Sequence, residues 1–599
     1  MEKTYQVHSG ILPGNYRKDI DGLRAIAILS VILFHFGCLA NGYLGVDIFF
    51  VISGYLITKI IFNETLENHF SITGFYLRRI RRIIPLVLFT TSIALIVGMF
   101  TMIPDDLENL SQSVVSTNLF ANNILLYITT GNYWNVINDF KPLMHTWSLG
   151  IEEQYYLFYP FIFLIFKTKR IKWILPVLIF FTIISILLFI TNTVEASNFY
   201  LIPYRFYELS LGGIGSVYLS KLRINSKIKL TLVAILIFIL AFNIGIPDKI
   251  KLTLTLVITL CVLLSESIPK STIAFVLENK LMIGIGKISF SLYMWHQIVL
   301  AFTRYFILET ISTSQYFIIF LIIVLLSIFS YYFIEQPFRN KKIIKNKLLL
   351  WTVCIVFLLT MSLSLYIYFK AGVIRDVPEL GIVKTSGERN MHTKYNSRIF
   401  NLDREFSDNK KNKVLVIGDS FARDWANVLM ESLFKNKIEI SYISEIEKYK
   451  NYKRRFKKAE YIFISATIID KSNFQMLVNF YNLDSTNIRI IGTKNFGINN
   501  GIFYNKRHDQ NYFKQRTFMA PGYMEENQSM KIKWGKMYID LIEKVVDRNG
   551  MVRIFTPDNK FISEDCRHLT RFGAIYYSQL LKHDLITIFE KRVGNNNGY

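Results

Sequence analysis

The sequence predicts two parts of different fold class, a multi-span α-helical membrane domain and, after it, an α/β domain with a parallel sheet. The chain has 599 residues, of which 51% are apolar and 15% aromatic. The apolar residues concentrate before about residue 370, in runs long enough to cross about 30 Å of hydrocarbon. Beyond that point, short buried-strand patterns alternate with helical stretches, which is typical of a doubly wound sheet.

Eleven apolar runs are long enough to be transmembrane helices. They cover residues 20–39, 44–62, 83–103, 148–166, 173–191, 201–220, 230–246, 250–264, 288–307, 316–333 and 348–369. The eighth run is the shortest. An odd number of spans predicts that the two ends of the chain lie on opposite sides of the membrane.

Charges between the runs predict the orientation. Four alternate connections are basic, at residues 78–82, 167–172, 221–229 and 339–347, and basic connections stay in the cytoplasm. The intervening connections are short or carry acids such as Asp105, Glu195 and Glu309. The N-terminus is therefore expected inside, and the part from residue 371 onward outside. Much of the net charge of +24 lies in these basic connections, so nucleic-acid binding is not expected.

The expected organisation is a ten-span domain over residues 1–340, an extra transmembrane helix over 341–370, an ordered linker or cap over 371–412 and an outer domain over 413–599. The first 22 residues lack the features of a cleaved signal peptide, so the first span is expected to stay as an anchor. In the outer domain, KVLVIGDS, AEYIFISAT and IRIIGT read as buried strands, and residues 424–434 and 532–546 as helical or mixed stretches. Neither a disulfide within that domain nor metal-ligand spacing is present in the sequence, and no bound metal or cofactor is expected.

The segment KVLVIGDSFARDW places Ser420 between a buried strand and a helix. Unpaired N–H groups and the positive end of the helix dipole at that position stabilise a developing oxyanion. Downstream, Asp565 and His568 are three residues apart, so the carboxylate is able to orient an imidazole that deprotonates the serine. The alternative is that Ser420 only caps the helix and that the other two are surface residues.

These two blocks, in the order Ser, Asp, His, resemble the SGNH (GDSL-like) esterase and acyltransferase family. The resemblance implies that Ser420 is the nucleophile, His568 the base and Asp565 its orienting carboxylate. The Gly-x-Asn-Asp block of that family is missing here. The backbone N–H groups of Ser420 and Phe421 are the remaining oxyanion candidates, with Asn495 as a further guess.

The first apolar run contains Arg24 and His35, and ionisable residues inside a span are functional candidates by default. They are eleven residues apart, which on a helix is roughly 16 Å along the axis on nearly one face. Arg24 is expected near the cytoplasmic surface and His35 past the midplane. The alternative for His35 is a packed, hydrogen-bonded core histidine.

Further motifs follow in order and resemble the membrane-bound acyltransferase-3 family over about the first 340 residues. They are DGLRAIA with the Arg24 and His35 spacing, GVDIFFVISGYLI with Asp47 and Ser53, the pair Arg79 and Arg82, WSLGIEEQYYLFYP with Glu152 and Glu153, GKISFSLYMWH ending at His296, and YYFIEQPFR with Glu335. Fusion of such a domain to an SGNH domain through an extra span resembles the O-acetyltransferases that modify bacterial surface polysaccharides. The resemblance implies a multi-pass protein of the bacterial inner membrane.

The resemblance also implies an acetyl donor, acetyl-CoA, that is reached from the cytoplasm as a substrate. Arg79 and Arg82 suit bidentate contacts with its phosphates, whereas Arg78 and Arg81 read as topology charge. His35 is expected to be a general base or transient acyl acceptor, and Arg24 to polarise the donor or line its path. Asp47, His296 and Glu335 are further candidates for the membrane site.

The fourth run begins with charged and aromatic residues. Glu152 and Glu153 are expected at its outer end, one of them pairing with an intramembrane cation. Tyr155, Tyr156 and Tyr159 are expected in an interfacial aromatic belt.

Two functions fit these residues. The first is an O-acetyltransferase in which the membrane half delivers an acetyl group and Ser420 passes it to a sugar hydroxyl of a lipid-linked or surface polysaccharide. Lipopolysaccharide O-antigen is the preferred acceptor, and peptidoglycan is the alternative. The second is an acyl or glycolipid transporter joined to an independent outer esterase. A non-enzymatic receptor or anchor is disfavoured by the two sets of catalytic residue types.

Overall fold

The computed structural model describes residues 16–130, 136–219, 225–265, 271–307, 311–384, 391–444 and 450–590. The chain divides into two compact units. The helical unit is Met1–Ile96 with Gln112–Ser364, and the α/β unit is Val97–Ser111 with Leu365–Tyr599. The α/β unit thus includes a short segment from the first part of the sequence.

The described regular structure of the helical unit is helical. Three of the helices named next, α3, α4 and α17, continue into residues that belong to the α/β unit. In chain order they are α1 Lys18–His35, α2 Gly45–Leu66, α3 Ile72–Thr101, α4 Pro104–Asn118, α5 Asn122–Thr130, α6 Trp147–Arg170, α7 Ile174–Thr191, α8 Glu195–Tyr200, α9 Phe206–Tyr218, α10 Ser226–Ala241, α11 Asp248–Leu264, α12 Thr272–Leu277, α13 Lys280–Lys287, α14 Ser289–Arg304, α15 Thr313–Ser330, α16 Gln336–Arg339 and α17 Asn346–Phe369. A π-helical turn, Tyr331–Glu335, joins α15 to α16.

Among the described residues, five helical segments are long and apolar enough to cross a membrane. They are Gly42–Leu66, Ile72–Thr101, Ile171–Thr191, Thr313–Arg339 and Asn346–Phe369. The last three are the least buried, with 22%, 22% and 17% of their most apolar window inside the protein, so their Leu, Ile and Phe side chains face outward. Helices that expose apolar residues in this way are suited to contact with lipid. The chain is therefore a helical membrane protein, and the six other predicted runs also fall on helices, α1, α6, α9, α10, α11 and α14.

Helices α2 and α9 approach each other closely because each carries a glycine at the crossing. A Cβ on Gly54 would lie 1.8 Å from the carbonyl oxygen of Leu209, and a Cβ on Gly212 would lie 2.1 Å from that of Val51. Small residues let membrane helices pack backbone to backbone. This contact places Asp47, near the start of α2, beside Arg205 and Glu208 at the start of α9.

The α/β unit contains the predicted parallel sheet. Its strands are β1 Asn412–Ile417, β2 Ile438–Ile443, β3 Tyr461–Ser465, β4 Ile488–Ile491 and β6 Tyr538–Ile539, while β5 Arg516–Phe518 and β7 Met551–Arg553 form a separate antiparallel pair. The parallel order is β2-β1-β3-β4-β6, and Val414 of β1 lies opposite Ile440 on one side and Tyr461 on the other. The order reverses between β1 and β3, and in such sheets this crevice at the carboxyl ends of the strands takes the ligand.

Helices cover both faces of the sheet. They are α18 Met391–Ser397, α19 Ser420–Glu431, α20 Lys453–Lys458, α21 Lys471–Tyr481, α22 Gly501–Tyr504, α23 Tyr523–Trp534, α24 Arg571–Leu580 and α25 Lys582–Glu590. Successive residues of β1 point to opposite faces, so Val414 packs with Trp425 of α19 and Leu415 with Phe456 of α20. This two-sided burial explains why the strand is a continuous apolar run.

The structure refines the sequence prediction in two places of this unit. Strand β2 was not predicted, although its sequence IEISYI alternates with the period of a strand. The stretch 532–546, predicted as helical or mixed, is not one helix, because α23 ends at Trp534, Gly535 takes a φ of +53°, and β6 follows.

For the segment 371–412, predicted as an ordered linker or a cap, the structure favours the cap. Val377, Leu380 and Ile382 are buried in a cluster with Phe555 and Phe561, so this segment packs into the core of the unit.

Candidate functional site

Ser420 lies at the carboxyl end of β1, as the first residue of α19. Gly418 makes the turn with a φ of +138°, and a Cβ there would lie 2.7 Å from the Cβ of Ser465. The cap of the helix is Asp419, whose Oδ1 accepts the N–H of Phe421 at 3.0 Å and whose Oδ2 accepts the hydroxyl of Thr467 at 2.6 Å. Ser420, which is partly exposed, is therefore not the N-cap. Its hydroxyl is not needed to accept a hydrogen bond from the first N–H groups of the helix.

Asp565 and His568 form the carboxylate–imidazole pair that the D-x-x-H block predicts. Nδ1 of His568 lies 2.5 Å from Oδ2 of Asp565, and Oδ1 of Asp565 accepts the N–H groups of Arg567 and His568 at 2.9 and 2.8 Å. Burial alone would raise the pKa of Asp565, but hydrogen bonds and the charge of His568 hold that pKa well below its usual range. Asp565 is therefore an anion that fixes the imidazole with Nε2 available.

The loop that carries His568 is tied to the helix that carries Ser420. The ring of His568 lies 6.3 Å, between centroids, from that of Phe421, the residue next to Ser420. The N–H of Leu569 donates to Oδ2 of Asp424, one turn along α19, at 2.9 Å. The three predicted catalytic residues are thus on elements that pack together at the carboxyl edge of the sheet.

The fold engages one of the proposed oxyanion donors of this site, the N–H of Phe421. The N–H of Phe421 donates to Asp419, so only the N–H of Ser420 is left from the predicted backbone pair. Asn495 is buried, and its Oδ1 accepts the N–H groups of Gly497 and Ala520 at 2.9 and 2.8 Å. These two bonds fix the orientation of the amide but use its oxygen and not its N–H groups.

Two further carboxyl groups lie beside the histidine loop. Asp105, from the start of α4, interacts with Glu564 and Asp565, and burial followed by the charges of Asp565, Asp106 and Glu108 raises the pKa of Asp105 to about 7. Glu564 is 2% exposed, and burial followed by the charge of Asp105 raises its pKa well above the usual range. In the sequence Asp105 indicated only an acidic outer connection and Glu564 had no predicted role, because Asp105 lies 460 residues before Asp565.

In the helical unit, the predicted donor-binding arginines lie together. Arg24, Arg79 and Arg82 line a cavity of about 150 Å³, named here the arginine cavity. Arg24 and Arg82 also line a neighbouring cavity of about 420 Å³, the basic vestibule, with Arg17, Lys287 and Arg339. By contrast, Arg78 pairs with Glu64, and Arg81 is buried and donates to the carbonyls of Phe338 and Ile344.

The two glutamates of the fourth run are not where they were predicted. Glu152 lines the arginine cavity with Arg79 and Arg82, whereas the prediction placed the glutamates and these arginines at opposite ends of the membrane. Tyr156 donates to Oε1 of Glu152 at 2.5 Å, and the guanidinium of Arg79 stands over the ring of Tyr156. A carboxylate inside the membrane is stabilised by nearby cations. This stabilisation favours a position of Glu152 on the face of α6 that points toward Arg79 and Arg82. One buried oxygen of Glu153 has no hydrogen-bond partner among the described residues.

The predicted tyrosine belt is also wrong. Tyr155, Tyr156 and Tyr159 are 1%, 3% and 1% exposed. Tyr155 and Tyr159 stack with ring centroids 4.4 Å apart, and the hydroxyl of Tyr159 lies 2.7 Å from that of Thr58. Tyr155 and Tyr159 are four residues apart and therefore share one face of α6, and the surrounding helices bury this face in the core of the bundle.

His35 lines a different cavity of about 290 Å³, named here the histidine cavity. Asp47, Trp147 and Arg205 also line it. Nη1 of Arg205 lies 2.8 Å from Oδ1 of Asp47 and 2.8 Å from Oε1 of Glu208, so Asp47 belongs to a buried ion cluster. Sequence reasoning missed Arg205 and Glu208, although two ionisable residues three apart inside an apolar run were a signal for them.

Arg24 and His35 therefore face different cavities, although they share one helix. The predicted candidate His296 is buried, with its ring 5.3 Å from that of His35 between centroids. The last candidate, Glu335, accepts a hydrogen bond from the hydroxyl of Ser291 and thereby ties the π-helical turn to α14. His145 and Tyr293, which the sequence analysis did not single out, surround His296.

Comparisons with known proteins agree on one family. The family model described as "Acyltransferase domain" matches residues 17–334. The O-acetyltransferase OatA of Staphylococcus aureus (strain NCTC 8325 / PS 47) is 32% identical over 367 residues, 57% of this chain and 59% of that protein. A provisionally named O-acetyltransferase of Staphylococcus aureus (strain MRSA252) is 29% identical over 479 residues, 71% of this chain and 77% of that protein. No solved structure matches. The chain belongs to the acyltransferase family of this model and is a membrane-bound acyltransferase.

Proposed function

We propose that the protein moves an acetyl group from acetyl-CoA in the cytoplasm, across the membrane, to a sugar hydroxyl of a bacterial surface polysaccharide. The observation that carries the proposal is the pair of adjoining cavities in the helical unit, one lined by arginines and the other by His35. Relatives named O-acetyltransferases support acetyl as the transferred group.

The donor enters, in this proposal, through the basic vestibule. Five cationic side chains line it, Arg17, Arg24, Arg82, Lys287 and Arg339. Guanidinium groups bind phosphate oxygens in a bidentate manner, so this set suits the nucleotide end of CoA. Arg24 and Arg82 continue into the arginine cavity, which gives the pantetheine arm a path toward the histidines.

His35 acts on the acetyl group from the far cavity. It is the general base for an incoming hydroxyl or the transient acyl acceptor. Arg24 contributes on the donor side, since it lines the arginine cavity and the vestibule but not the histidine cavity. Arg24 thus keeps the role expected from the sequence, which is to polarise the donor or line its path.

The α/β unit completes the transfer as an SGNH-type domain outside the inner membrane, after eleven spans. Ser420 takes the acetyl group as an acyl-enzyme, with His568 as base and Asp565 orienting it, and then passes it to the sugar. The hydrogen bond between His568 and Asp565 supports these roles, as does the position of Ser420 as first helical residue with Asp419 as the cap.

The acceptor is a polysaccharide of the cell surface. Lipopolysaccharide O-antigen is the acceptor preferred from the sequence, and peptidoglycan is the alternative. Both offer sugar hydroxyl groups, and the names of the relatives state the transferred group without an acceptor. NMR of each polysaccharide, purified from cells with and without the protein, identifies the one that gains O-acetyl groups.

Single substitutions in the full chain test the two-stage transfer. His35→Ala and Arg24→Ala are expected to abolish glycan acetylation at unchanged protein level, and His69→Ala, at a histidine with 80% of its side chain exposed, is the control. Ser420→Ala is expected to stop glycan acetylation but to leave His35-dependent use of acetyl-CoA. Asp565→Ala is expected to be milder than His568→Ala, because an orienting carboxylate contributes less than the base itself.

Two outcomes contradict the proposal in different ways. Full acetylation in Ser420→Ala means that the helical unit acts alone on the acceptor. Loss of acetyl groups from the glycan when the active protein is supplied, with no transfer from acetyl-CoA, assigns the outer domain as an independent esterase.

A further inference from the structure

The arginine cavity follows one face of α2. Its lining from that helix includes Val46, Phe50, Ser53, Leu56 and Ile60, which recur every three or four residues. Leu56 also lines the basic vestibule. Between Leu56 and Val46 the helix extends over about 15 Å, so the cavity leads from the vestibule to the first turn of α2.

Helix α6 runs beside α2 in the same direction. The ring of Trp147, at the start of α6, lies 6.2 Å from that of Phe50, between centroids. Further along both helices, the hydroxyl of Tyr159 lies 2.7 Å from that of Thr58. Both helices therefore begin at the same end of the cavity, and the residues of their first turns line that end together.

The vestibule end of the cavity is cationic. Arg24 and Arg82 line both the cavity and the vestibule. Arg79 also lines the cavity, and its guanidinium stands over the ring of Tyr156, well beyond the first turn of α6. Guanidinium groups bind phosphate oxygens. This end therefore suits the phosphates of the donor, as the proposed function requires.

The opposite end of the cavity is apolar. Val46, Phe50 and Leu149 line it and are buried. Two hydroxyls also lie at this end, those of Ser148 and Tyr293, 2.7 Å apart. Tyr293 in turn donates to a backbone carbonyl at 2.5 Å. Both hydroxyls are thus hydrogen-bonded within the protein, and the surface left for a ligand at this end is mainly hydrocarbon.

Val46 is the wall at the apolar end. Among the described residues, it is the one that lines both the arginine cavity and the histidine cavity, so about 290 Å³ of space lies beyond it. The backbone on either side is held in place. A Cβ on Gly45 would lie 2.4 Å from the carbonyl oxygen of Ala27, and Asp47 pairs with Arg205 at 2.8 Å. The side chain of Val46 therefore sets where the arginine cavity ends.

We propose that Val46 determines the acyl specificity of the protein by limiting the acyl group of the donor to acetyl. The inference rests on the proposed function, in which an acyl-CoA enters from the vestibule. The pantetheine arm, with its two amide units, is about as long as four extended residues, roughly 14 Å. With the phosphates at the arginines, the arm spans the distance to the first turn of α2. The acyl group then ends against Val46, which leaves room for a methyl group and not for a longer chain.

A smaller side chain at position 46 opens this wall. Val46→Ala joins the end of the arginine cavity to the space of the histidine cavity, so a butyryl chain gains room. An apolar pocket discriminates by about tenfold or more for each methylene, so the unsubstituted protein should prefer acetyl over butyryl by about 100-fold. Val46→Ala is expected to reduce that preference by about tenfold or more, mainly through faster transfer of butyryl.

Inside-out membrane vesicles from cells that express the full chain provide the measurement. They expose the cytoplasmic face to added donor and contain the acceptor of the cell. Acetyl-CoA and butyryl-CoA, each labelled in the acyl group, are added together at equal concentration. Mass spectrometry of the glycan gives the two initial rates, and the label found in vesicles with His35→Ala is subtracted. The ratio of the two rates is the acyl specificity.

Ile60→Ala is the matched control. Ile60 lies on the same face of α2 toward the other end of the cavity and is 38% exposed, so its truncation leaves the apolar end as it is. We expect it to change both rates by one common factor and to leave their ratio unchanged. Val46→Ile acts in the opposite direction, because its extra methylene shortens the cavity. It is expected to raise the preference for acetyl over propionyl.

The outcomes separate this inference from the proposed function. An unchanged ratio in Val46→Ala overturns the role of Val46, and so does equal use of acetyl and butyryl by the unsubstituted protein; the proposed transfer stands in both cases. If Val46→Ala yields no folded protein, Val46→Ile decides, and an unchanged ratio there has the same meaning. If the label does not distinguish the unsubstituted protein from His35→Ala, the proposed function fails and the inference fails with it.

Discussion

Nζ of Lys494 lies 2.7 Å from Oδ2 of Asp424, and the two side chains are 1% and 2% exposed. The same carboxylate oxygen accepts the N–H of Leu569, the residue after His568. Asp424 belongs to the helix that begins at Ser420, so this one buried carboxylate joins the serine helix both to Lys494, after β4, and to the histidine loop. The ammonium also lies 4.3 Å from the ring centroid of Phe421, beside the serine.

Removal of one partner of this pair is expected to be strongly destabilising. Lys494→Met leaves a buried, unpaired carboxylate and should lower the free energy of unfolding by about 3–5 kcal/mol. Asp424→Asn together with Lys494→Met should recover part of the loss, since asparagine is able to accept the N–H of Leu569 without a charge. The measurement is denaturant unfolding of the full chain in detergent.

The control for this prediction is an exposed pair of the same unit. Lys458 and Asp408 are 2.8 Å apart with side chains 47% and 94% exposed. Lys458→Met should change the free energy of unfolding by less than about 1 kcal/mol. An equally small effect of Lys494→Met would show that the buried pair does not hold the two elements together.

The carboxyl groups beside the histidine loop predict a pH dependence of stability. Burial raises the pKa of Glu564 above its ordinary value of about 4.3. An acid with a raised folded pKa lowers stability as pH rises above the unfolded value, because the folded state resists ionisation. Glu564→Gln should therefore raise the unfolding temperature of the full chain, relative to the unsubstituted protein, more at pH 8 than at pH 5.

Asp565 supplies the opposite case as a control. The pKa of Asp565 in the folded protein lies well below the ordinary value of about 3.9. Its ionised form therefore contributes fully to stability above about pH 3.9, and this contribution is lost only as the pH falls toward the folded pKa. Asp565→Asn should lower the unfolding temperature at both pH 5 and pH 8. A gain for Glu564→Gln that is the same at both pH values would contradict the predicted ionisation of Glu564.

The close packing at the crossing of α2 and α9 predicts that one added methyl group at Gly54 lowers the stability of the protein. Gly54→Ala would put a Cβ 1.8 Å from the carbonyl oxygen of Leu209, so the helices must separate. Overpacking of this kind typically lowers stability by about 1–3 kcal/mol. Gly284→Ala is the control, since a Cβ there meets no atom within 4 Å. Folded protein in detergent extracts, measured by fluorescence-detected gel filtration, should fall for Gly54→Ala and not for Gly284→Ala.

The alternation of basic and acidic connections predicts the side on which the α/β unit lies. With the eleven spans predicted from the sequence, a reporter fused after Lys370, just beyond α17, should be active only on the outer face. The measurement is a pair of fusions at this position, one to an enzyme active outside and one to an enzyme active in the cytoplasm. Activity of the cytoplasmic reporter would mean that one predicted span does not cross the membrane, the first candidate being the short run 250–264. That result would contradict the two-sided transfer.

Local sequence was sufficient where neighbours in the chain define the geometry. Asp565 and His568 are three residues apart, and their hydrogen bond forms within one turn of backbone. The parallel sheet was likewise predictable from apolar strands such as β1, which are buried on both faces. Predictions failed for Tyr155 and Glu152, because which face of α6 is buried depends on the helices around it.

The family, the helical membrane part, the parallel α/β part and the spacing of Arg24 and His35 along one helix were all predictable from consecutive residues. The packing of distant segments was needed to see that these two residues face different cavities, that Arg205 and Glu208 join Asp47, and that His145 and Tyr293 lie around His296. The physical reason is that helical period and hydropathy are properties of consecutive residues. A cavity forms where side chains from distant segments fail to fill space, and no local pattern encodes where that happens.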